Sequence, residues 1–267
     1  MIELHKPRKR FGQNFLIDDD IIRQIVTSIG AKPEHNLIEI GPGTAALTEH
    51  LVVLCPTMSL LEVDRDLITF LEKKFASYQH LKFYNGDALQ TDFSQFYDGR
   101  KLRLIGNLPY NISTPLLFHL LTIGGLIQDM HFMLQREVVD RLSASPSSKS
   151  YGRLSIMIQY HCRVMPLIPV PPESFRPPPK VHSAFIRLKP YKNKPFETAN
   201  EILMSRLVNL CFQQRRKTLR NCLKSYGKYL FEISNVVDLK LRPEQLRVSD
   251  FVNITNVIND LLKLESL

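Results

Sequence analysis

The sequence of 267 residues lacks the features that mark membrane, secreted or zinc-stabilised proteins. No apolar run approaches the ~18 residues that a membrane-spanning helix requires. The N-terminal segment is basic at positions 6–10 and has no apolar signal stretch. The four cysteines form no CxxC pair and lie far apart, so neither a zinc site nor a disulfide framework is indicated. These absences predict a cytoplasmic protein that holds no metal ion and does not enter a membrane.

The composition is that of a globular protein with a basic surface. Apolar residues make up 44% and charged residues 23%, and the length suffices for one large core and a smaller second domain. The formal net charge of +9 and the pI of about 9.4 favour polyanionic partners. Charge alone does not decide the partner, because many basic proteins bind no nucleic acid.

Apolar runs alternate with amphipathic stretches between Leu37 and Leu134, which predicts a parallel α/β sheet. Strands are expected at 37–40, 58–61, 81–84, 102–105, 130–134, 156–160 and 184–188. Helices are expected at 45–54, 66–77, 114–122 and 136–143, a loop at 143–151, and neither helix nor central strand in the proline-rich stretch 166–179. The region after Pro190 has a helical pattern. We therefore expect two domains, 1–191 and 192–267.

A glycine loop follows the first predicted strand. Gly41 and Gly43 permit a tight turn and let a ligand approach the backbone near a helix N-terminus. The loop continues with Ala45 and does not complete the dinucleotide motif GxGxxG, which points away from NAD and toward another adenosine ligand. An ordinary strand-to-helix turn is the alternative at this point.

Two acidic residues follow the next two strands. Glu62 lies 21 residues after Gly41, where a carboxylate accepts hydrogen bonds from ribose hydroxyls. Asp87 follows the third strand, beside Ala88, and suits the amino group of an adenine; a turn aspartate is the alternative. We expect Glu62, Asp87 and Ala88 to contact the adenosine part of the ligand.

The motif Asn107-Leu108-Pro109-Tyr110 comes directly after the fourth strand, at the sheet edge where ligands bind in doubly wound folds. The N6 amine of adenine is a poor nucleophile, because its lone pair is delocalised into the ring. The amide oxygen of Asn107 and the carbonyl of Leu108 suit its two hydrogens, Pro109 makes the loop rigid, and Tyr110 offers a stacking face for the base. This arrangement predicts methyl transfer to an adenine amine.

Together these motifs resemble the ribosomal RNA adenine N6-dimethyltransferase family, and most closely its bacterial small-subunit branch. The resemblance covers nearly the whole chain, through the segments 9–16, 38–48, 61–67, 85–89, 107–110, 172–175 and 177–181. It implies a Rossmann-like S-adenosylmethionine-dependent methyltransferase fold with a seven-stranded sheet, and a small C-terminal all-helical domain that binds RNA. The implied reaction is dimethylation of two adjacent adenosines in the 3′-terminal hairpin loop of small-subunit RNA, within an immature 30S particle, by a monomer with a role in subunit biogenesis.

The resemblance also assigns residues. By it, Asn14 and Leu16 close over the methionine and sulfonium region of the cofactor, above Gly41. Asn107 joins the cofactor to the target amine, and Phe175 is a second base-stacking residue. Ala45 departs from the family, which commonly has glycine there, and this puts cofactor affinity slightly in doubt.

The stretch 207–228 contains six basic residues and no acidic residue. Positions 216, 220, 224 and 228 follow i, i+4 spacing, which predicts one basic stripe on a helix. We expect Arg216, Arg220 and Lys224 to contact RNA phosphates, with a solvated helix face as the alternative. The basic N-terminal arm at 6–10 is expected either to order on RNA or to be a plain tail.

Three other functions are compatible with parts of this pattern. They are methylation of adenine in large-subunit RNA, a non-catalytic RNA-binding assembly factor, and methylation of DNA adenine or protein glutamine. The segment 175–180 and the longer C-terminal region favour the small-subunit enzyme. Intact Glu62, Asp87, Asn107 and Tyr110 argue against a non-catalytic factor, and Asn-Pro-Pro-Tyr is the more usual motif in the third class.

Overall fold

A computed structural model of the protein describes residues 13–265. A two-stranded sheet pairs β1 with β8, and a seven-stranded sheet has the order β4-β3-β2-β5-β6-β9-β7. The strands in chain order are β1 (Phe15–Leu16), β2 (Asn36–Ile40), β3 (Ser59–Glu62), β4 (Lys82–Asn85), β5 (Leu102–Asn107), β6 (Ile127–Gln135), β7 (Cys162–Val170), β8 (Phe175–Arg176) and β9 (Ser183–Pro190).

The helices alternate with strands through the first half of the chain and then dominate its end. They are α1 (Asp19–Ile29), α2 (Thr48–Leu54), α3 (Arg65–Lys74), α4 (Ser113–Leu121), α5 (Arg136–Leu142), α6 (Arg153–His161), α7 (Glu201–Gln213), α8 (Leu219–Cys222), α9 (Leu230–Ser234) and α10 (Val248–Leu264). Short 3-10 helices occur at Phe93–Phe96, Gly124–Leu126, Pro172–Ser174, Lys224–Tyr229 and Pro243–Gln245. No helix within residues 13–265 is long and apolar enough to span a membrane.

The centre of the large sheet is parallel, as predicted. Strand β2 pairs in parallel with β3 and β5, and all five of its residues are buried, as expected for a strand covered on both faces. Strand β9 runs antiparallel to β6, with Phe132 opposite Ile186. The carboxyl ends of β2, β3, β4 and β5 therefore meet along one edge. Close approach of β2 and β5 requires glycine at 106, where a Cβ atom would lie 2.4 Å from the Ile40 carbonyl oxygen.

One of the seven predicted strands, at 156–160, is wrong. Residues 156–160 lie in α6, and the strand follows them as β7. The error has a physical cause: α6 is buried at five consecutive positions, from Leu154 to Ile158, and a fully buried helix shows no 3.6-residue periodicity. Pro166 and Pro169 are accommodated because β7 is at the sheet edge.

The chain divides into two compact units. The first contains the described residues up to 139 together with 164–190, and holds the large sheet apart from the first two residues of β7. The second contains 140–163 and the described residues from 191 onward. Its helices α6, α7 and α10 pack on one another, and the Tyr151 hydroxyl donates to the Leu246 carbonyl oxygen at 2.9 Å. The segment 140–163 thus belongs with the C-terminal helices, whereas the sequence placed it in the first domain.

Candidate active site

One pocket of about 230 Å³ opens at the carboxyl edge of the parallel strands. It brings together all the residues predicted for cofactor binding and catalysis: Asn14, Leu16, Gly41, Gly43, Glu62, Asp87, Ala88, Asn107, Leu108, Pro109 and Tyr110. Each lies where a strand of the large sheet ends or just beyond it, apart from Asn14 and Leu16, which precede α1. The predicted motifs therefore form one site, although they are scattered over about 100 residues of sequence.

The glycine loop turns back beside strand β3. Gly41 (φ 68°) and Gly43 (φ 57°) adopt the left-handed conformation, and the Gly41 amide donates to the Leu61 carbonyl oxygen at 2.8 Å. Ala45 also has a positive φ, 78°, although it carries a side chain. That conformation costs a non-glycine residue roughly 1–2 kcal/mol. The departure at Ala45 thus falls at a position whose backbone favours glycine.

Glu62 is fixed by the loop that it faces. One carboxylate oxygen accepts from the Gly43 amide at 3.2 Å, the other from the Asp64 amide at 3.0 Å, and the side chain is buried. A carboxylate has about four acceptor positions, so each oxygen keeps capacity for a ligand hydroxyl. Burial raises the pKa of Glu62 above its ordinary value.

A second buried carboxyl group, Glu39, lines the same pocket and was missed by the sequence reading. The Thr48 hydroxyl donates to Glu39 at 2.7 Å. Burial raises the pKa of Glu39 to about 7, and the nearby Glu62 acts in the same direction. The signal in the sequence was an acidic residue between two isoleucines of an otherwise apolar strand.

The pocket carries acidic groups without compensating bases. Glu39, Glu62 and Asp87 line it, and no Lys, Arg or His from residues 13–265 does. One oxygen of Asp87 accepts from the Leu89 amide at 2.9 Å, which leaves the other for a ligand. Such a lining fits a ligand that combines hydroxyls, an amino group and a positive charge, as S-adenosylmethionine does.

Asn107 ends β5 opposite Met133. Its side-chain nitrogen donates to the Asn14 carbonyl oxygen at 2.9 Å, so the amide oxygen is left as an acceptor. Leu108 buries its side chain, and its backbone amide donates to the Met133 carbonyl oxygen at 3.3 Å. Within residues 13–265 no donor reaches the Leu108 carbonyl oxygen. Two acceptors are thus available at the predicted catalytic position.

Tyr110 is partly exposed at the pocket, and its hydroxyl is within 2.8 Å of the Ser183 hydroxyl. Burial raises the pKa of Tyr110, so the phenol stays neutral at physiological pH. Its hydroxyl is held while part of the ring remains accessible. The partner Ser183 carried no signal in the sequence.

Phe175 is placed otherwise than predicted. Only 2% of its surface is exposed, and it belongs to the hydrophobic core together with Leu16, Val170 and Phe185. The ring offers no face to an RNA base in this structure. The physical reason is the pairing of β8 with β1, which turns Phe175 inward opposite Leu16.

The basic stripe is not on one helix. Helix α7 ends at Gln213, α8 is four residues long, and Lys224 begins a 3-10 helix. Positions 213–218 contain no apolar residue, so a helix there would have no face to bury. Arg216, Arg220 and Lys224 are exposed. Lys228 pairs with Glu265 and lies over the Tyr229 ring. The basic arm at 6–10 lies outside the described residues.

Comparison with known proteins identifies relatives along nearly the whole chain. The family model described as ribosomal RNA adenine dimethylase matches residues 4–260. The "Ribosomal RNA small subunit methyltransferase A" of Saccharophagus degradans is 53% identical over 255 residues, which cover 95% of each chain.

Two solved structures share the fold. A dimethyladenosine transferase from Plasmodium falciparum has a TM-score of 0.78 at 26% identity, covering 94% of this chain and 98% of its own. The 23S rRNA methyltransferase ErmE has a TM-score of 0.71 at 21% identity, covering 92% of this chain and 100% of its own, and shows the fold alone. The predicted Rossmann-like methyltransferase fold is confirmed. This chain is an S-adenosylmethionine-dependent methyltransferase and belongs to the ribosomal RNA adenine dimethylase family.

Proposed function

We propose that this enzyme dimethylates the N6 amines of two adjacent adenosines in the 3′-terminal hairpin loop of small-subunit ribosomal RNA. Support for the substrate comes from the relative named as a small-subunit methyltransferase, 53% identical over 95% of the chain. The likeness to ErmE at 21% identity carries no weight for a large-subunit substrate. The proposal includes an immature 30S particle as the form recognised, a cytoplasmic location, a monomeric enzyme and a role in subunit biogenesis.

The observation that supports the proposed chemistry most strongly is the hydrogen bonding of the Asn107 side chain. Its nitrogen is engaged by the Asn14 carbonyl, so in the first transfer its oxygen accepts one hydrogen of the target amine while the Leu108 carbonyl accepts the other. In the second transfer one of these two acceptors holds the single hydrogen that remains on the methylated amine. These two bonds turn the nitrogen lone pair out of conjugation and toward the pocket. Bound S-adenosylmethionine supplies an electrophilic methyl group. After the methyl group has been transferred, the nitrogen is positively charged and acidic and gives its proton to solvent water, so no metal ion or charged base is required.

The remaining residues bind and orient. Glu62 accepts from the ribose hydroxyls, Asp87 and Ala88 hold the adenine of the cofactor, and Gly41 and Gly43 let it approach the backbone. Tyr110 stacks on the target base. Arg216, Arg220 and Lys224 contact phosphates as separate exposed cations and not as one helical stripe.

The test compares substrates directly. Labelled methyl transfer from S-adenosylmethionine is measured with unmethylated small subunits, mature large subunits and adenine-containing DNA at equal concentration. We expect transfer to small subunits at least a hundredfold above the other two. Preferred transfer to large subunits or DNA would replace the proposed substrate, and particle binding without transfer to any of the three would favour a non-catalytic factor.

A further inference from the structure

The chain before α1 forms one wall of the cofactor pocket. Residues 13–16, which we call the roof, all line the pocket. The Asn14 carbonyl receives the hydrogen bond from Asn107, and the Phe15 ring lies so close to Gly43 that an added Cβ atom would be 3.1 Å from it. The roof therefore touches both the catalytic motif and the glycine loop.

Helix α1, which continues the roof, is fixed to the sheet at its C-terminal end. The Arg103 guanidinium donates to the carbonyl oxygens of Ile29 at 2.7 Å and Gly30 at 3.2 Å. Arg103 is itself paired with the buried Asp129, with 2.8 Å between Nε and Oδ1. This end of the helix is held by buried charged groups.

At its N-terminal end the same chain is held by the proline-rich segment. The Ile17 amide donates to the Ser174 carbonyl oxygen at 2.9 Å, and the Ser174 hydroxyl donates to the Asp18 carboxylate at 2.8 Å. Ser174 is 2% exposed, and Asp18 also caps α1 by accepting from the Asp20 and Ile21 amides. These hydrogen bonds, from Ile21 first and Ser174 second, hold the pKa of Asp18 below its usual range, so the acceptor is ionised at neutral pH.

We propose that the Ser174–Asp18 hydrogen bond is a latch that keeps the roof closed over the cofactor, and that both are positioning residues for cofactor retention. The inference rests on the proposed function only in taking the pocket as the cofactor site. Phe175, buried opposite Leu16, belongs to the same attachment. The segment 172–175 thus acts on the cofactor through the roof.

The latch predicts a particular kinetic signature. If a fraction of molecules has an open roof, the apparent dissociation constant of the cofactor rises by the inverse of the closed fraction. Saturating cofactor restores the closed state, so the turnover number is conserved. If the serine had a purely structural role, its replacement would instead lower the stability of the fold and would not raise KM for the cofactor at constant kcat.

The test uses the full-length protein with Ser174→Ala, Ser174→Thr and a matched control, Ser155→Ala. Ser155 is also a buried serine, and its hydroxyl bonds the Arg141 carbonyl oxygen within the second unit. Calorimetry gives the dissociation constant of S-adenosylmethionine, and methylation of small subunits gives KM for the cofactor and kcat. Thermal unfolding reports on the fold of each variant.

We expect Ser174→Ala to raise both the dissociation constant and KM roughly five- to tenfold, with kcat within about twofold. The effect is smaller than that of fully removing a hydrogen bond to a charged group, because the Ile17 amide still donates to the carbonyl oxygen of residue 174. Ser174→Thr, which keeps the hydroxyl, should restore affinity, and Ser155→Ala should bind cofactor as the wild type does. Unchanged affinity in a folded Ser174→Ala protein would overturn the latch, as would a fall in kcat at constant KM. If the wild type binds cofactor but methylates no small subunit, the substrate proposal fails and the calorimetric test of the latch still stands.

Discussion

The charged side chains of the cofactor pocket in the first unit and those of the basic segment in the second unit differ in burial and in hydrogen bonding. In the pocket, Glu39 and Glu62 are buried and held by specific donors at strand ends. In the segment 216–224, the cations are exposed, and neither Arg216, Arg220 nor Lys224 forms an ion pair within residues 13–265. The pocket carboxyl groups are fixed by hydrogen bonds, whereas the basic side chains of the segment are exposed. Mutations in the pocket should therefore change cofactor affinity or turnover through the geometry of the site. Mutations in the basic segment should change particle binding in a way that depends on salt concentration.

The largest expected effect is at the catalytic position. Asn107→Ala removes the amine acceptor and the bond to the Asn14 carbonyl, and should lower kcat on the order of 10²- to 10³-fold, the range typical of removing one transition-state hydrogen bond. Binding to small-subunit particles should stay within about threefold, because the phosphate contacts proposed for Arg216, Arg220 and Lys224 are unchanged. Single-turnover methylation and particle binding measure the two quantities. Retained turnover would show that Asn107 does not orient the amine.

The buried carboxyl Glu39 makes the stability of the free protein depend on pH. Its pKa of about 7 exceeds the ordinary 4.5, so the folded state binds the proton more tightly than the unfolded state. Stability contributed by the protonated form is therefore lost as pH rises from about 4.5 to about 7, by an amount on the order of 3 kcal/mol.

Urea unfolding of wild type and Glu39→Gln between pH 5 and pH 8 isolates this effect, because the other titrating groups are common to both proteins. The variant keeps an acceptor for Thr48 and should become more stable relative to wild type as pH increases. A difference in unfolding free energy that does not change with pH would mean that Glu39 is ionised throughout.

A smaller effect is expected at Glu62, the residue proposed to bind the ribose of the cofactor. Glu62→Ala removes a charged acceptor and should weaken S-adenosylmethionine binding tenfold or more, since hydrogen bonds to charged groups contribute ~1.5–3 kcal/mol. Glu49→Ala is the matched control, because Glu49 is exposed on α2 and is not a pocket residue. Calorimetry compares the two variants. Equal S-adenosylmethionine affinities of the two variants would show that Glu62 does not bind the cofactor.

The smallest effect is expected in the basic segment. Arg220→Gln with Lys224→Gln should weaken binding to small-subunit particles at low salt and flatten the salt slope by roughly 0.7–0.9 for each phosphate that is no longer neutralised. Cofactor affinity should not change. Lys73→Gln with Lys101→Gln, at exposed positions of the first unit, removes the same net charge and is the control. Equal salt slopes for the two double variants would show that the segment affects binding only through the net charge of the protein.

Local sequence patterns predicted most of the strands of the large sheet but not all of the helices. Apolar runs predicted six of the seven strands of the large sheet, because most of them are short, largely buried segments. The prediction failed at 156–160, where burial on all sides hides the helical period, and at 216–228, where spacing was counted through residues that form no continuous helix. Helix α1 was overlooked, although Asp18 and Gly30 cap it in the usual way.

In the site, motifs located the groups that sit at strand ends but not the groups that support them. Glu39 was hidden inside an apolar strand, and Gly106 is required only because Ile40 lies across from it. Ser174 and Phe175 belonged to a recognised segment, yet their role depends on pairing with a strand about 160 residues earlier, which no local pattern shows.

The central claim is tested most directly by identifying the methylated nucleoside itself. Unmethylated small subunits are incubated with the enzyme and S-adenosylmethionine, the 3′-terminal fragment of the RNA is isolated, and its nucleosides are analysed by mass spectrometry. The account predicts N6,N6-dimethyladenosine at two adjacent positions of the hairpin loop with the wild type, and unmodified adenosine with Asn107→Ala. Methylation of another nucleoside, of adenosine outside that loop, or equal product from both proteins would contradict it.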